Sequence, residues 1–462
     1  MKTMRFTALL TLLLAGCTVG PDYRRPLVAA PDTFRGAPAA TPPTDASFGE
    51  QKWWDVFQDY QLQTLIRTAL QNNYDVRIAA TRILEAQAQL GIKKADEYPT
   101  AGVSVSGTDN RNARSKFFSA YDTSNTQLGV GFQWNLDFWG KYRRATEAAR
   151  DQLLAADWAQ KEVTDSLVAG VASAYFTMRG LDLQLQISQR TLASDQDSLK
   201  LTRLLSDNGA TSLLDVRQAE QLVYAASATV PSIEKEIQQQ EDLIGTLLGG
   251  NAADVTRGIE LTAQPHMPEI PPGLPSSLLE RRPDILQAEA RLMALNALIG
   301  VAKAAYFPSI SLTGDGGFQS IALSKLFSGP AGVWSFASPL TQPLFTGGSL
   351  KKGVQLAQAQ QREAVLSYQQ TIQQAFREVC DGLIAYAKDQ EFRKQQDLLT
   401  QSAADASRLS DLRYRGGAAS YLEVLDSNTR YYSAELSLAQ GQLKELLDYV
   451  QLYQALGGGW QQ

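Results

Sequence analysis

Large apolar side chains occupy every second position from Leu128 through Val130, Phe132, Trp134 and Leu136 to Phe138, alternating with Gly129, Gly131, Gln133, Asn135 and Asp137. A period of two sustained that far predicts a β-strand with one apolar face. About 9–11 tilted residues cross the hydrocarbon layer of a membrane. An apolar face opposite a polar one suits a barrel with lipid outside and water inside, although a soluble sandwich produces the same alternation. Val103 and Val105 begin a weaker partner strand. Ile310 and Leu312, then Trp334, Phe336 and Leu340, repeat the pair, with Pro339 and Pro343 interrupting its last strand.

Between these strand pairs the pattern changes. From about Ala145 to Ser206 there is no proline, and Ala, Gln, Leu and charged residues dominate. A helix of that span would reach roughly 90 Å at 1.5 Å per residue. Leu350 to Leu412 reads the same way. Glycines at Gly209 and Gly416-Gly417 stop each long helix, and a shorter helix returns to a Leu-Gly-Gly signature. The apolar positions keep no strict heptad and glutamine is frequent, which favours a tube of helices with a polar lumen over a coiled coil.

The chain is written twice. Gly209-Ala210-Thr211-Ser212-Leu213-Leu214-Asp215-Val216 recurs 208 residues later as Gly417-Ala418-Ala419-Ser420-Tyr421-Leu422-Glu423-Val424, and Leu248-Gly249-Gly250 as Leu456-Gly457-Gly458. Tyr98-Pro99 pairs with Phe307-Pro308 at an offset of 209. The segments expected are a signal peptide at 1–16, an anchored N-terminal segment at 17–60, a first repeat at 61–250, a Pro-rich linker at 251–275 and a second repeat at 276–462. Four strands in one chain cannot close around a water-filled lumen, and an open sheet would leave its edges unpaired in lipid. Several chains must therefore build the barrel.

The first residues carry an address. Lys2 and Arg5 precede an apolar stretch, Phe6 to Leu14, which is too short to span a membrane and ends in Leu14-Ala15-Gly16-Cys17. No stretch after residue 17 reads as a transmembrane helix. Removal of Lys2 and Arg5 with the leader would take the formal charge from −5 to −7, and an acidic chain without a basic cluster argues against nucleic acid. His266 is the one histidine, which excludes histidine-based metal and triad sites. No catalytic constellation, cofactor motif or metal site is found. Leu14-Ala15-Gly16-Cys17 resembles the lipobox of bacterial lipoproteins, which implies a lipid on Cys17; only Cys380 would then remain, and no intrachain disulfide is expected.

The lipobox-like start followed by Val19-Gly20-Pro21-Asp22-Tyr23-Arg24-Arg25-Pro26 resembles the lipoprotein branch of the outer-membrane factors, the TolC-like channels. So do Trp53-Trp54, Arg281-Arg282-Pro283-Asp284-Ile285, Ala304-Ala305-Tyr306-Phe307-Pro308, Tyr421-Leu422-Glu423-Val424-Leu425-Asp426 and the terminal Leu456-Gly457-Gly458-Gly459-Trp460. The resemblance implies an α+β membrane protein: a homotrimer whose chains give four strands each to a twelve-stranded barrel, continued by a long helical periplasmic tunnel. It implies a lipid on Cys17, an outer-membrane location, a periplasmic adaptor protein and an inner-membrane pump of the resistance-nodulation-division class. The function implied is passive export of drugs or metal ions, with protein secretion of type I as the alternative. Arg281-Arg282-Pro283-Asp284 reads as a helix start, with Pro283 in the first turn and Asp284 at the positive end.

A duct needs a gate, and the turns at 207–216 and 413–426 are the candidates. In each a serine stands three residues before an acid, Ser212 to Asp215 and Ser420 to Glu423, which also describes a capping box. Asp426 lies one turn beyond Glu423 on the same side, which capping does not explain. The resemblance implies carboxylate rings at the narrow periplasmic entrance, where they select for cations. Tyr414 matches a family tyrosine that tethers the closed tip, but Ala419 stands where the family has an arginine. Arg415 could substitute through Asp207, its equivalent in the first half; two solvated surface charges are the alternative.

Overall fold

The computed structural model describes residues 18–28, 31–37, 47–114, 116–117, 119–264, 270–273 and 275–460. The leader, Cys17, His266 and part of the Pro-rich linker lie outside the described residues. In chain order the elements are α1 (Trp53–Val56), α2 (Tyr60–Asn72), α3 (Tyr74–Ala95), β1 (Thr100–Asn112), β2 (Tyr121–Leu136), α4 (Lys141–Asp207) and α5 (Leu213–Leu247). The second half follows with α6 (Pro275–Arg281), α7 (Pro283–Ala304), β3 (Ser309–Ser320), β4 (Gly332–Ala337), β5 (Leu340–Thr341), α8 (Ser349–Arg415) and α9 (Tyr421–Ala455). Both long helices, α4 and α8, have 67 residues, and both return helices have 35. A 67-residue helix is about 100 Å long.

The chain forms two compact units, and each draws on both repeats. One unit (1–27, 82–157 and 287–369) holds an antiparallel sheet in the order β1-β2-β3-β4, with β5 also paired to β3. The bridge from Ser311 N to Pro339 O and the two pieces β4 and β5 show how the prolines split the fourth strand without ending it. Register gathers the apolar residues. Val103 faces Val130, Val105 faces Leu128, Trp134 faces Leu312, and Gly314 faces both Phe132 and Phe336. Because alternate residues share a face, Val103, Val130, Phe132, Trp334, Phe336 and Leu340 form one exposed apolar surface. Ser104, Gln133, Thr313 and Ser335 lie on the other. Trp139 stacks on Phe307 at 4.7 Å and donates from Nε1 to Pro308 O at 2.8 Å, so aromatic rings mark the foot of the sheet.

An N-terminal strap binds to the same unit. Val19 N donates to Trp139 O at 3.1 Å, Asn296 Nδ2 to Pro21 O at 3.0 Å, and Arg144 pairs with Asp22 at 2.7 Å. Tyr23 and Arg25 both donate to the buried Glu289, at 2.9 and 2.8 Å. Thr18 therefore has a fixed place beside Gly140, directly after Trp139. Helix α7 corrects one expectation. With a mean hydropathy of 1.3 over its best window, it is long and apolar enough by composition to cross a membrane. Half of that window is buried, with Ile285 and Leu292 closed off from solvent, so α7 is a core helix.

The other unit (28–81, 158–286 and 370–462) has an aromatic core. Phe57 packs on Phe176 and Tyr453, and Phe48 on Tyr449 and Tyr453. Asp59 caps α2 through Gln61 N and Leu62 N, while its other oxygen accepts from Tyr175 Oη at 2.7 Å and Ile259 N at 2.9 Å. Pro283 opens α7, as a proline in a first turn should. The preceding Arg282 pairs with Asp284 and Glu378, both at 2.7 Å, and donates to Ala455 O.

Candidate functional site at the helical tips

The two tips share a backbone. Gly209 (φ +71°) and Gly417 (φ +70°) adopt the left-handed conformation in which a side chain would be strained. Gly209 N donates to Ser206 O and Ala210 N to Leu205 O, at 2.9 and 2.8 Å; Gly417 N donates to Tyr414 O and Ala418 N to Arg413 O, both at 2.9 Å. Each pair is a Schellman closure that satisfies carbonyls left over at a helix end.

Their side chains differ. In the first tip Ser212 Oγ accepts from Asp215 N at 3.3 Å, and Asp215 accepts from Ser212 N at 3.1 Å, a complete capping box. Thr211 adds a hydroxyl donor to the same carboxylate, and this hydrogen bond, followed by those of Ser212, holds the Asp215 carboxyl below its usual range. In the second tip Ser420 is the N-cap residue but makes no side-chain cap bond. Glu423 reaches Arg413 at 3.3 Å instead, and Asp426 pairs with Arg430 at 2.8 Å. Both acids are exposed, so these pairs contribute little to stability. The expected Arg415–Asp207 pair is not formed within the chain among the described residues: Arg415 Nε lies 2.8 Å from Asp411, one turn back on its own helix. The nearer, helix-fixed partner wins.

Beneath the tips is a core that the repeat pattern hides. Tyr421, 2 % exposed, packs with Leu199, Val216, Ala219, Val223 and Val424, whereas its repeat equivalent Leu213 is 63 % exposed. Tyr414 meets the Tyr421 ring edge-on at 5.4 Å, and neither buried hydroxyl has a hydrogen-bond partner among the described residues. Burial, and the nearby Asp195, Tyr414 and Asp215, push the Tyr421 phenol up to about 12. Burial alone pushes the Asp195 carboxyl to about 6. Tyr421, Asp195, Arg413 and Arg430 were not among the residues singled out by spacing. Their partners come from other helices or from a neighbouring turn, and only an unequal repeat (tyrosine against leucine) hinted at one of them. Among the described residues no group of His, Cys, Asp or Glu converges to hold a metal ion.

A sheet with one exposed apolar face, joined in the chain to paired helices of such length, is the build of an outer-membrane channel subunit. The chain matches the outer membrane efflux protein family over residues 65–250 and 274–458, one stretch in each half, and it belongs to that family. It is 37 % identical to the probable efflux pump outer membrane protein TtgC of Pseudomonas putida, over 99 % of this chain and 96 % of the relative. It is 34 % identical to the cation efflux system protein CusC of Escherichia coli, over 98 % and 97 %. The solved structure of the outer-membrane channel OprN superposes with a TM-score of 0.90 at 31 % identity, covering 96 % of this chain and all of that one.

Proposed function

We propose that this chain is one of three copies that together form the outer-membrane duct of a tripartite efflux pump. The observation that carries the reading is the open sheet. Its apolar face is exposed and the outward edges of β1 and of β4 are unpaired among the described residues, a state that lipid tolerates only once further copies close it. Four strands per chain then give a twelve-stranded barrel. The long helices extend the duct into the periplasm, where an adaptor and an inner-membrane pump of the resistance-nodulation-division class engage it. Relatives are named for efflux of toluene, antibiotics and cations, which favours export of small solutes over protein secretion. Cys17 carries a lipid, and the strap from Thr18 to Arg25 supports that role by fixing where the anchored end leaves the fold, beside the aromatic foot of the sheet.

Glu423 and Asp426 form the carboxylate rings of the periplasmic entrance, and Tyr414, Arg415 and Asp207 act in holding it shut. An Arg415–Asp207 pair across the tips requires Arg415 to leave Asp411. The test is purification in detergent followed by planar-bilayer recording. Trimers should conduct with a preference for cations that Asp426→Asn reduces. A conducting monomer, or trimers that remain silent even with tip residues substituted, would refute the reading.

A further inference from the structure

Away from the tips, the helical unit has a partly open cavity of about 450 Å³ between α4, α8, α9 and the start of α7. Its walls are acidic. Glu162 and Asp165 enter from α4, Asp284 from α7, and Glu378 and Asp381 from α8, against the guanidiniums of Arg282 and Arg377. Arg282 is already committed to Asp284 and Glu378. The α9 wall adds only neutral groups, among them Gln451 and Gln454.

Asp165 is the anomaly. It is 7 % exposed, lines the cavity, and its carboxyl accepts no hydrogen bond among the described residues. Gly459 (φ +97°) closes over it so tightly that a Cβ there would lie 2.8 Å from Oδ1. A buried carboxylate without donors is costly. Burial accordingly pushes the Asp165 carboxyl well above the usual range; Arg282 opposes this, and Asp284 and Glu162 add to it. A cation bound beside Asp165 would favour the ionised carboxylate, so its binding is linked to proton release. The carboxylates do not converge as metal ligands do, and the volume falls within the range of small-molecule sites, about 300–1,000 Å³. An extended ligand with separated positive centres suits walls whose acids stand on three different helices.

We propose that this cavity binds an aliphatic polyamine, with one ammonium on Asp165 and another toward the Asp381 rim. The inference rests on neither the gate nor the duct reading and stands if either fails. The probe is spermidine, titrated calorimetrically into the full-length protein in detergent, in buffers of differing ionisation enthalpy. Saturable binding of one spermidine per chain is expected, with proton release, and with affinity rising as pH rises through the Asp165 titration. Asp165→Asn should weaken binding about tenfold or more, which is about 1.4 kcal/mol, and abolish the proton release. Asp381→Asn should weaken it only about two- to threefold and leave proton release intact. If Asp165→Asn does not assemble, the wild-type proton release and the Asp381→Asn shift decide. No saturable binding, unchanged affinity in Asp165→Asn, or binding without proton release in the wild type would each overturn the proposal. So would cross-linking that finds a basic side chain of a neighbouring copy filling the cavity.

Discussion

The two helical hairpins have equal lengths, the same left-handed glycine and the same turn hydrogen bonds, yet they end differently. The first tip is locked by itself: Ser212, Thr211 and Asp215 satisfy one another within five residues. The second tip, with the same serine-to-acid spacing, spends its acids on arginines, Glu423 on Arg413 and Asp426 on Arg430. Its stability comes from Tyr421, which reaches into the first hairpin. A duplicated sequence has thus produced one tip held by local bonds and one held by contact with its neighbour. Moving one hairpin relative to the other would break the Tyr421 contacts and leave the first tip's local bonds intact.

The largest expected effect tests that difference directly. Tyr421→Ala empties a buried site and should lower the local stability of the second tip by about 3–5 kcal/mol, whereas Leu213→Ala, at the exposed equivalent, should change the first by less than about 0.5 kcal/mol. Hydrogen exchange of amides near Val424 and Val216 reads both, and equal effects would break the comparison. Ser212→Ala comes next: loss of a working cap should cost about 1 kcal/mol, while Ser420→Ala should be close to neutral because its hydroxyl caps nothing. The smallest effect is on pH. The depressed Asp215 carboxyl contributes stability above its unfolded pKa, and that contribution disappears as pH falls through the lower folded value. A spin label at Leu214 should therefore loosen in acid, and Thr211→Ala should move that loosening to higher pH.

Much of this architecture was legible in the residues. The alternation from Leu128 to Phe138 predicts β2, which ends at Leu136, and the proline-free run after Ala145 predicts α4, since periodicity and helix breakers are local properties. The interruption at Pro339 was legible for the same reason. The capping box was legible in the first tip and misleading in the second, because Arg413, ten residues before Glu423, competes for the acid. Tyr421 and Asp165 were not legible. Each owes its burial to partners far away in the chain, Leu199 and Val216 for one and Gly459 and Arg282 for the other, and no spacing rule encodes such encounters. The closest approach to a membrane helix, α7, misleads in the opposite sense: its apolar composition serves packing.

Single-channel recording of trimers altered at one tip or the other tests the central claim, that the duct is controlled at its second tip. Tyr414 and Arg415 replaced together by alanine should raise the open fraction without an adaptor, while Thr211 and Ser212 replaced together should leave it close to wild type. An open fraction unchanged by the first replacement, or raised equally by the second, would contradict the account.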